Sequence, residues 1–243
     1  ATFYPSAVHA VSGMETSLFT FLLTLLLLQS MLYLDNPDPR RATAFAVIAI
    51  LTGLTRPEGN IVVWVMAIVI LILDRSNRTA FIRSFILSYI LPGVIYYIWR
   101  YWYYGLPLPL PAYVKGVFGS QSPGALHGIQ PVMQFLEIMT FYFGIPILIG
   151  LVGLGKRFLP AILGTIAFLL FFLYPYHAMS FTFRFLYPIV PMLFVIVAIG
   201  LGLILEWTRD RINVNGKAGG VIASFLVLLI CAILAGSTMS TAK

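Results

Sequence analysis

Apolar residues occur along this chain in long runs that short polar stretches separate. We predict eight membrane segments from these runs, at residues 17–34, 42–54, 61–73, 81–99, 132–154, 159–173, 185–205 and 221–235. Runs of this length and apolar content favour helices buried in lipid. The pattern therefore predicts an all-α fold, a polytopic transmembrane helix bundle, and we interpret residues 1–243 as a single transmembrane domain.

The second and third runs are short and lie on either side of the polar stretch 55–60, Thr-Arg-Pro-Glu-Gly-Asn. Each run has 13 residues, which make about 20 Å of helix against roughly 30 Å of bilayer hydrocarbon. We therefore predict a short helical hairpin whose turn lies near or below the lipid headgroups. Charged groups at that depth are costly and usually face a cavity or a partner, so this turn is the first functional candidate.

The turn also has a chemistry that its residue types indicate. Pro57 disfavours helical geometry at Arg56, and Thr55-x-x-Glu58 fits a capping box that starts the next helix. Ser12-x-x-Glu15 repeats the pattern before the first run. Free N–H groups at a helix start, beside the Arg56 guanidinium, suit a phosphate or diphosphate headgroup. The alternative is a capped turn whose arginine reaches the membrane interface, and Glu15 and Glu58 are accordingly either caps or direct contacts to a sugar or acceptor hydroxyl.

Composition restricts the class of protein. Hydrophobic residues make up 60% of the chain and charged residues 9%, values outside those of a soluble domain, so the lipid bilayer is an expected partner. The net charge of +7 does not indicate nucleic acid, because the basic residues are dispersed among short loops. Ten of them fall on one predicted side, the cytoplasmic one, at positions 40, 41, 75, 78, 83, 156, 157, 209, 211 and 217. The predicted outer loops are 1–16, 55–60, 100–131 and 174–184.

The outer loops hold most of the other candidates. Alternate prolines after the aromatic run that ends at Tyr104 favour an extended strip, which would present Tyr113 and Lys115 at the outer surface. An interfacial aromatic belt and an uninvolved lysine are the alternatives. His177 lies in the last outer loop and, with Tyr113, is a candidate phosphate- or sugar-binding residue. Arg184 opens the next helix, where a cation opposes the helix dipole unless an anion is bound.

Glu137 lies inside the fifth run, where an unpaired carboxylate is costly. We predict either that it pairs with an arginine or that it lines a cavity, and we predict that Tyr104 lines a cavity as well. No nucleotide-binding, dinucleotide-binding or metalloprotease motif occurs. We therefore predict no cofactor and no metal site, and the sequence leaves open whether a divalent cation takes part. Ala1 to Ser12 lacks the pattern of a signal peptide, and we interpret the chain as a fragment of a longer protein.

Four motifs in order resemble the GT-C superfamily of integral-membrane glycosyltransferases, arabinofuranosyltransferase-like or mannosyltransferase-like. They are residues 12–16 (SGMET), 54–59 (LTRPEG), 103–109 (YYGLPLP) with Lys115, and 184–191 (RFLYPIVP). The resemblance implies transfer of a sugar from a polyprenyl-phosphate donor to a glycan or glycolipid acceptor, with inversion, on the extracytoplasmic face of the plasma (inner) membrane. It implies that Arg56 contacts the donor phosphate and that Lys115 and Arg184 contact phosphate or sugar. The superfamily's catalytic aspartate would lie upstream of residue 12, so Glu15 and Glu58 are substitute candidates for the general base. A flippase for a lipid-linked sugar and a non-catalytic scaffold are the alternatives.

Overall fold

The structure, a computed structural model, describes residues 15–106, 129–173 and 183–212. Within these ranges the chain is helical and contains no strand, which confirms the all-α prediction. The helices are α1 (Thr16–Asp35), α2 (Pro39–Thr55), α3 (Gly59–Leu73), α4 (Arg78–Tyr104), α5 (Ile129–Gly153), α6 (Leu159–Phe172) and α7 (Val190–Ile212). A π-helical turn, Ile86–Ile90, interrupts α4, and short 3-10 turns, Lys156–Phe158 and Tyr187–Ile189, precede α6 and α7.

Helix lengths bear on the predicted membrane crossings. In the described part of the chain, four stretches are long and apolar enough to cross a bilayer: Thr16–Asp35, Arg78–Tyr104, Ile129–Gly153 and Tyr187–Trp207. Helix α3 is apolar but has 15 residues, and α2 and α6 have 17 and 14. Each of the first seven predicted segments overlaps a helix, whereas segment 221–235 lies outside the described residues. The count of eight crossings therefore stays a prediction.

The chain divides into two compact units, each described by itself. Among the described residues, the larger contains 15–106, 129–134, 155–173 and 183–192, and the smaller contains 135–154 and 193–212. The interpretation of residues 1–243 as one transmembrane domain stays a prediction.

The core of the larger unit is formed by packed helices and a row of aromatic rings. Helix α1 packs on α2, and α3 packs on α6, where Gly164 leaves room for Val62 and Met66. The ring of Phe81 lies 5.2 Å from that of Tyr33 and 5.9 Å from that of Phe85. The rings link α1 to α4, and van der Waals packing of this kind contributes to the association of helices in a membrane.

One end of the larger unit gathers charged and polar groups. The Tyr33 hydroxyl donates to Asp74 Oδ2 at 2.7 Å, and Arg157 forms an ion pair with Asp35 at 3.1 Å. Arg41 donates to the carbonyl of Leu32. Three of the basic loops predicted to be cytoplasmic, at 40–41, 75–83 and 156–157, therefore occur at the same end of this unit.

In the smaller unit α5 and α7 approach so closely that glycine is required. A Cβ on Gly200 would overlap the carbonyl oxygen of Pro146, and one on Gly150 would overlap that of Ile196. Small residues allow this backbone approach between membrane helices.

Candidate functional site

At the opposite end of the larger unit, three pieces of chain meet around Arg56. They are the start of α1, the turn between α2 and α3, and the segment before the Tyr187–Ile189 turn. The Arg56 guanidinium carbon lies 5.2 Å from the ring centroid of Phe19 and 5.2 Å from that of Phe185. Two aromatic faces therefore hold this cation, and the residue is only 5% exposed.

The hairpin turn consists of Arg56, Pro57 and Glu58. Helix α2 ends at Thr55, and Arg56 is extended, with φ −145° and ψ 127°, as Pro57 was expected to impose. Arg56 Nη2 and Glu58 Oε1 form an ion pair at 2.5 Å, with side chains 6% and 15% exposed. The short helical hairpin and the non-helical arginine are thus confirmed.

The predicted capping box at this turn is wrong. Thr55 is still helical, so its hydroxyl donates to the Leu51 carbonyl four residues earlier, at 2.8 Å, and does not reach α3. Glu58 makes no capping bond, because its carboxylate takes the stronger charged partner, Arg56. The Asn60 side chain instead closes the hairpin, since it donates to the Pro57 carbonyl and accepts from the Tyr89 hydroxyl at 2.8 Å.

Arg184 brings the second cation to the same place. Its guanidinium carbon lies 5.6 Å from the ring centroid of Phe185, the ring that also contacts Arg56. Its Nη2 pairs with Glu15 Oε1 at 2.9 Å. The preceding residue, Phe183, adopts a left-handed φ of 54°, which is uncommon outside glycine and marks a constrained turn.

Glu15 lies at the N-terminus of α1, outside the helix, and its side chain makes no capping bond. Burial acts to raise the pKa of this carboxyl, but the backbone hydrogen bond and the Arg184 and Arg56 charges together lower it below 4.5. Glu15 is therefore an anion at neutral pH, and both cations of the site act on it. Ser12, the other half of its predicted capping pattern, lies outside the described residues.

Three buried polar atoms of this site have no hydrogen-bond partner among the residues that the structure describes. They are Arg56 Nη1, Arg184 Nε and Thr16 Oγ1. A buried donor without a partner costs about 1 to 3 kcal/mol, so such groups are uncommon and call for a physical explanation. Two N–H groups and a hydroxyl at a helix start form a set of donors suited to an anion.

The comparison with protein families identifies the class of protein. A family model described as the Alg9-like mannosyltransferase family matches residues 3–242. This chain belongs to the Alg9-like mannosyltransferase family. No curated protein and no solved structure matches it.

Membership in the Alg9-like family confirms the coarse part of the sequence-based prediction. The family is of the GT-C type, so the chain is a multi-pass membrane glycosyltransferase that uses a lipid-linked sugar donor. The narrower likeness within the superfamily and the interpretation of the chain as a fragment stay predictions.

The remaining candidate residues of this Alg9-like chain lie apart from the site or outside the described ranges. Tyr113, Lys115 and His177 belong to the latter group. Tyr104 is 61% exposed at the end of α4, and Glu137 is exposed on α5 in the smaller unit. Their assignment as cavity-lining residues stays a prediction. Across residues 15–106, 129–173 and 183–212, no three His, Cys, Asp or Glu side chains are grouped to hold a metal ion.

Sequence reasoning missed Phe19, Phe185 and Thr16. Thr16 is part of the SGMET motif, and Phe19 follows it by three residues, so the two lie on one face of α1. Helical spacing could therefore have found them. Phe185 adjoins Arg184, but nothing in the local sequence indicates that its ring contacts Arg56, since that contact is made by packing.

Proposed function

We propose that this member of the Alg9-like family transfers a sugar from a polyprenyl-phosphate donor to a glycan or glycolipid acceptor, with mannose the first sugar to test. The observation that supports this proposal is the pair of arginines, Arg56 and Arg184, each of which lies against Phe185. Each also has a buried N–H group that no residue in the described part of the chain bonds. Guanidinium groups match phosphate geometry and bind it with paired hydrogen bonds.

The charges of the site favour a singly charged phosphate. Arg56 and Arg184 are each paired with a carboxylate, so these four side chains have no net charge. A phosphodiester that carries a sugar and a polyprenyl chain adds one negative charge, which the spare N–H groups can accept. A diphosphate would bring further negative charge beside Glu15 and Glu58, and burial of uncompensated charge is costly.

The charge distribution also supports an extracytoplasmic site. The basic loops at 40–41, 75–83 and 156–157 lie at the end of the larger unit opposite Arg56. Positively charged loops favour the cytoplasmic side of a membrane. We therefore propose that the arginines lie at the outer side, where a carrier lipid can keep its chain in the bilayer while its phosphate reaches the helix ends.

The chemistry we propose is a single displacement with inversion. The oxygen of an acceptor hydroxyl attacks the anomeric carbon, the bond from that carbon to the phosphate oxygen breaks, and polyprenyl phosphate leaves with the electron pair. Arg56 and Arg184 stabilise the negative charge that develops on the leaving phosphate. A carboxylate takes the hydroxyl proton, and Glu15 and Glu58 are the candidates at this site. Pairing with arginine weakens a carboxylate as a base, so either residue would act best once its pair had opened.

The test is transfer by the purified protein in proteoliposomes that contain radiolabelled polyprenyl-phosphate mannose and a panel of glycolipid acceptors. We expect label in the acceptor from the wild-type protein, and its loss in Arg56→Gln. Movement of the labelled lipid between leaflets without transfer would support a flippase instead. If the protein shows neither transfer nor movement and binds no polyprenyl phosphate, the result would support the non-catalytic scaffold.

A further inference from the structure

Thr16 differs from four other threonines of α1 and α2, of which Thr20 and Thr52 are also buried. The usual arrangement is a hydroxyl that donates to the carbonyl four residues earlier, and Thr20, Thr24, Thr52 and Thr55 all adopt it. Thr16 is the first residue of α1, so no carbonyl lies one helical turn before it within the helix. Its hydroxyl is completely buried and has no partner in the described part of the chain. No residue that the structure describes therefore uses this hydroxyl.

The Arg184 guanidinium likewise has one edge on which only one of the two donor groups is bonded by a described residue. Glu15 bonds Nη2, whereas Nε, on the same edge of the guanidinium, has no partner among the residues that the structure describes. One edge of an arginine can hold two oxygens of a phosphate or carboxylate through two parallel hydrogen bonds. Glu15 thus occupies one of the two positions on this edge.

We propose that the Thr16 hydroxyl and the Nε and Nη2 edge of Arg184 form a phosphate subsite, and that the Glu15 carboxylate occupies it until the donor phosphate takes its place. The inference rests on the proposed function and adds Thr16 as a donor-binding residue and Glu15 as a built-in competitor.

The burial of the four charged side chains supports Glu15 as the group that moves. Its side chain is 42% exposed, whereas those of Arg184, Glu58 and Arg56 are 13%, 15% and 6% exposed. Glu15 precedes Thr16 in the chain and lies outside α1, so no helical backbone bond has to break when the carboxylate leaves. Its departure removes the one anion paired with Arg184 among the described residues and frees the Nη2 position of that edge.

The experiment is equilibrium binding of a short-chain polyprenyl monophosphate, and separately of inorganic phosphate, to purified protein in nanodiscs. We expect Glu15→Gln to bind both probes about three to ten times more tightly, because the competing carboxylate is gone. We expect Thr16→Val to bind about tenfold more weakly, which corresponds to about 1.4 kcal/mol. Thr16→Ser should keep wild-type affinity, because it retains the hydroxyl. The lipid and free-phosphate arms separate the contribution of the polyprenyl chain from that of the phosphate.

Thr20→Val is the matched control. Its hydroxyl already donates to the Thr16 carbonyl, so its removal should leave phosphate affinity unchanged. Thermal unfolding checks the fold of every variant, and Thr16→Val should not melt below wild type, because the removed hydroxyl bonds no residue in the described ranges. If Glu15→Gln does not fold, the two Thr16 variants decide the question.

Two results would overturn different claims. Wild-type affinity in Thr16→Val, together with no tightening in Glu15→Gln, would overturn this subsite while the proposed function stands, provided that Arg56→Gln still weakens binding. Absence of polyprenyl phosphate binding by the wild-type protein would overturn the proposed function itself.

Discussion

Arg56→Met tests two claims about the hairpin arginine. The first is that its buried ion pair with Glu58 stabilises the fold, and the second is that it binds the donor phosphate. The substitution keeps much of the side-chain length but removes the charge from a group that is 6% exposed and leaves Glu58, 15% exposed, without its partner. Breaking a buried ion pair costs about 3 to 5 kcal/mol, and each desolvated contact of a cation with an aromatic ring contributes about 0.5 to 2 kcal/mol. Because Glu58 keeps some contact with solvent, we expect a loss of about 3 kcal/mol in the free energy of unfolding.

The double variant Arg56→Met/Glu58→Gln should recover about 2 kcal/mol of that loss, because no unpaired buried charge remains. The measurement is reversible unfolding in detergent, arranged as a double-mutant cycle. The matched control is the Asp35 and Arg157 pair at the other end of the larger unit, whose side chains are 46% and 49% exposed. Solvent screens that pair, so its removal should cost less than about 1 kcal/mol.

Polyprenyl phosphate binding by the same double variant separates structure from function. We expect its affinity to stay low although its stability returns, because the N–H groups of Arg56 are absent. A variant that regains both stability and wild-type affinity would refute the assignment of Arg56 to the donor phosphate. A loss of less than about 1 kcal/mol in Arg56→Met would refute the argument from burial.

Three further predictions concern the Arg184 and Glu15 pair of the site and the contact between α5 and α7. Arg184→Lys should weaken donor binding about tenfold in an equilibrium assay, because lysine lacks the planar edge; equal affinity would reduce Arg184 to a structural cation. The pKa of Glu15 is lowered by folding, so the stabilisation from its pair with Arg184 is present above pH 4.5 and is lost as the pH falls through the lower folded pKa. An Arg184→Met variant should lack that part of the acid dependence in unfolding measurements. Gly200→Val should lower the unfolding free energy by about 2 kcal/mol or more, because its side chain meets the Pro146 carbonyl; an unchanged melt would show that α5 and α7 can separate without cost.

Much of the fold follows from local physics that a sequence displays. Runs of apolar residues predict the helices, and the two short runs around 55–60 predict the hairpin, since a polar stretch with a proline ends one helix before the next begins. The helix ends were harder to predict. Thr55 and Glu58 have the spacing of a capping box, yet a threonine that is still helical bonds its own turn, and a carboxylate beside an arginine prefers the charged partner.

The sequence by itself determined that Arg56 leaves the helix, because the steric effect of Pro57 acts on its immediate neighbour, and that Glu58 lies within its reach. Only the tertiary structure decided that Arg184 pairs with Glu15, 169 residues away, and that one phenylalanine ring contacts both arginines. The physical reason is range: backbone sterics and helical periodicity act over a few residues, whereas a contact between distant segments depends on how α1, the hairpin and the segment before α7 pack. Nothing in the local sequence around Thr16 indicates that its hydroxyl is buried with no partner within residues 15–106, 129–173 and 183–212, because that too is a result of packing.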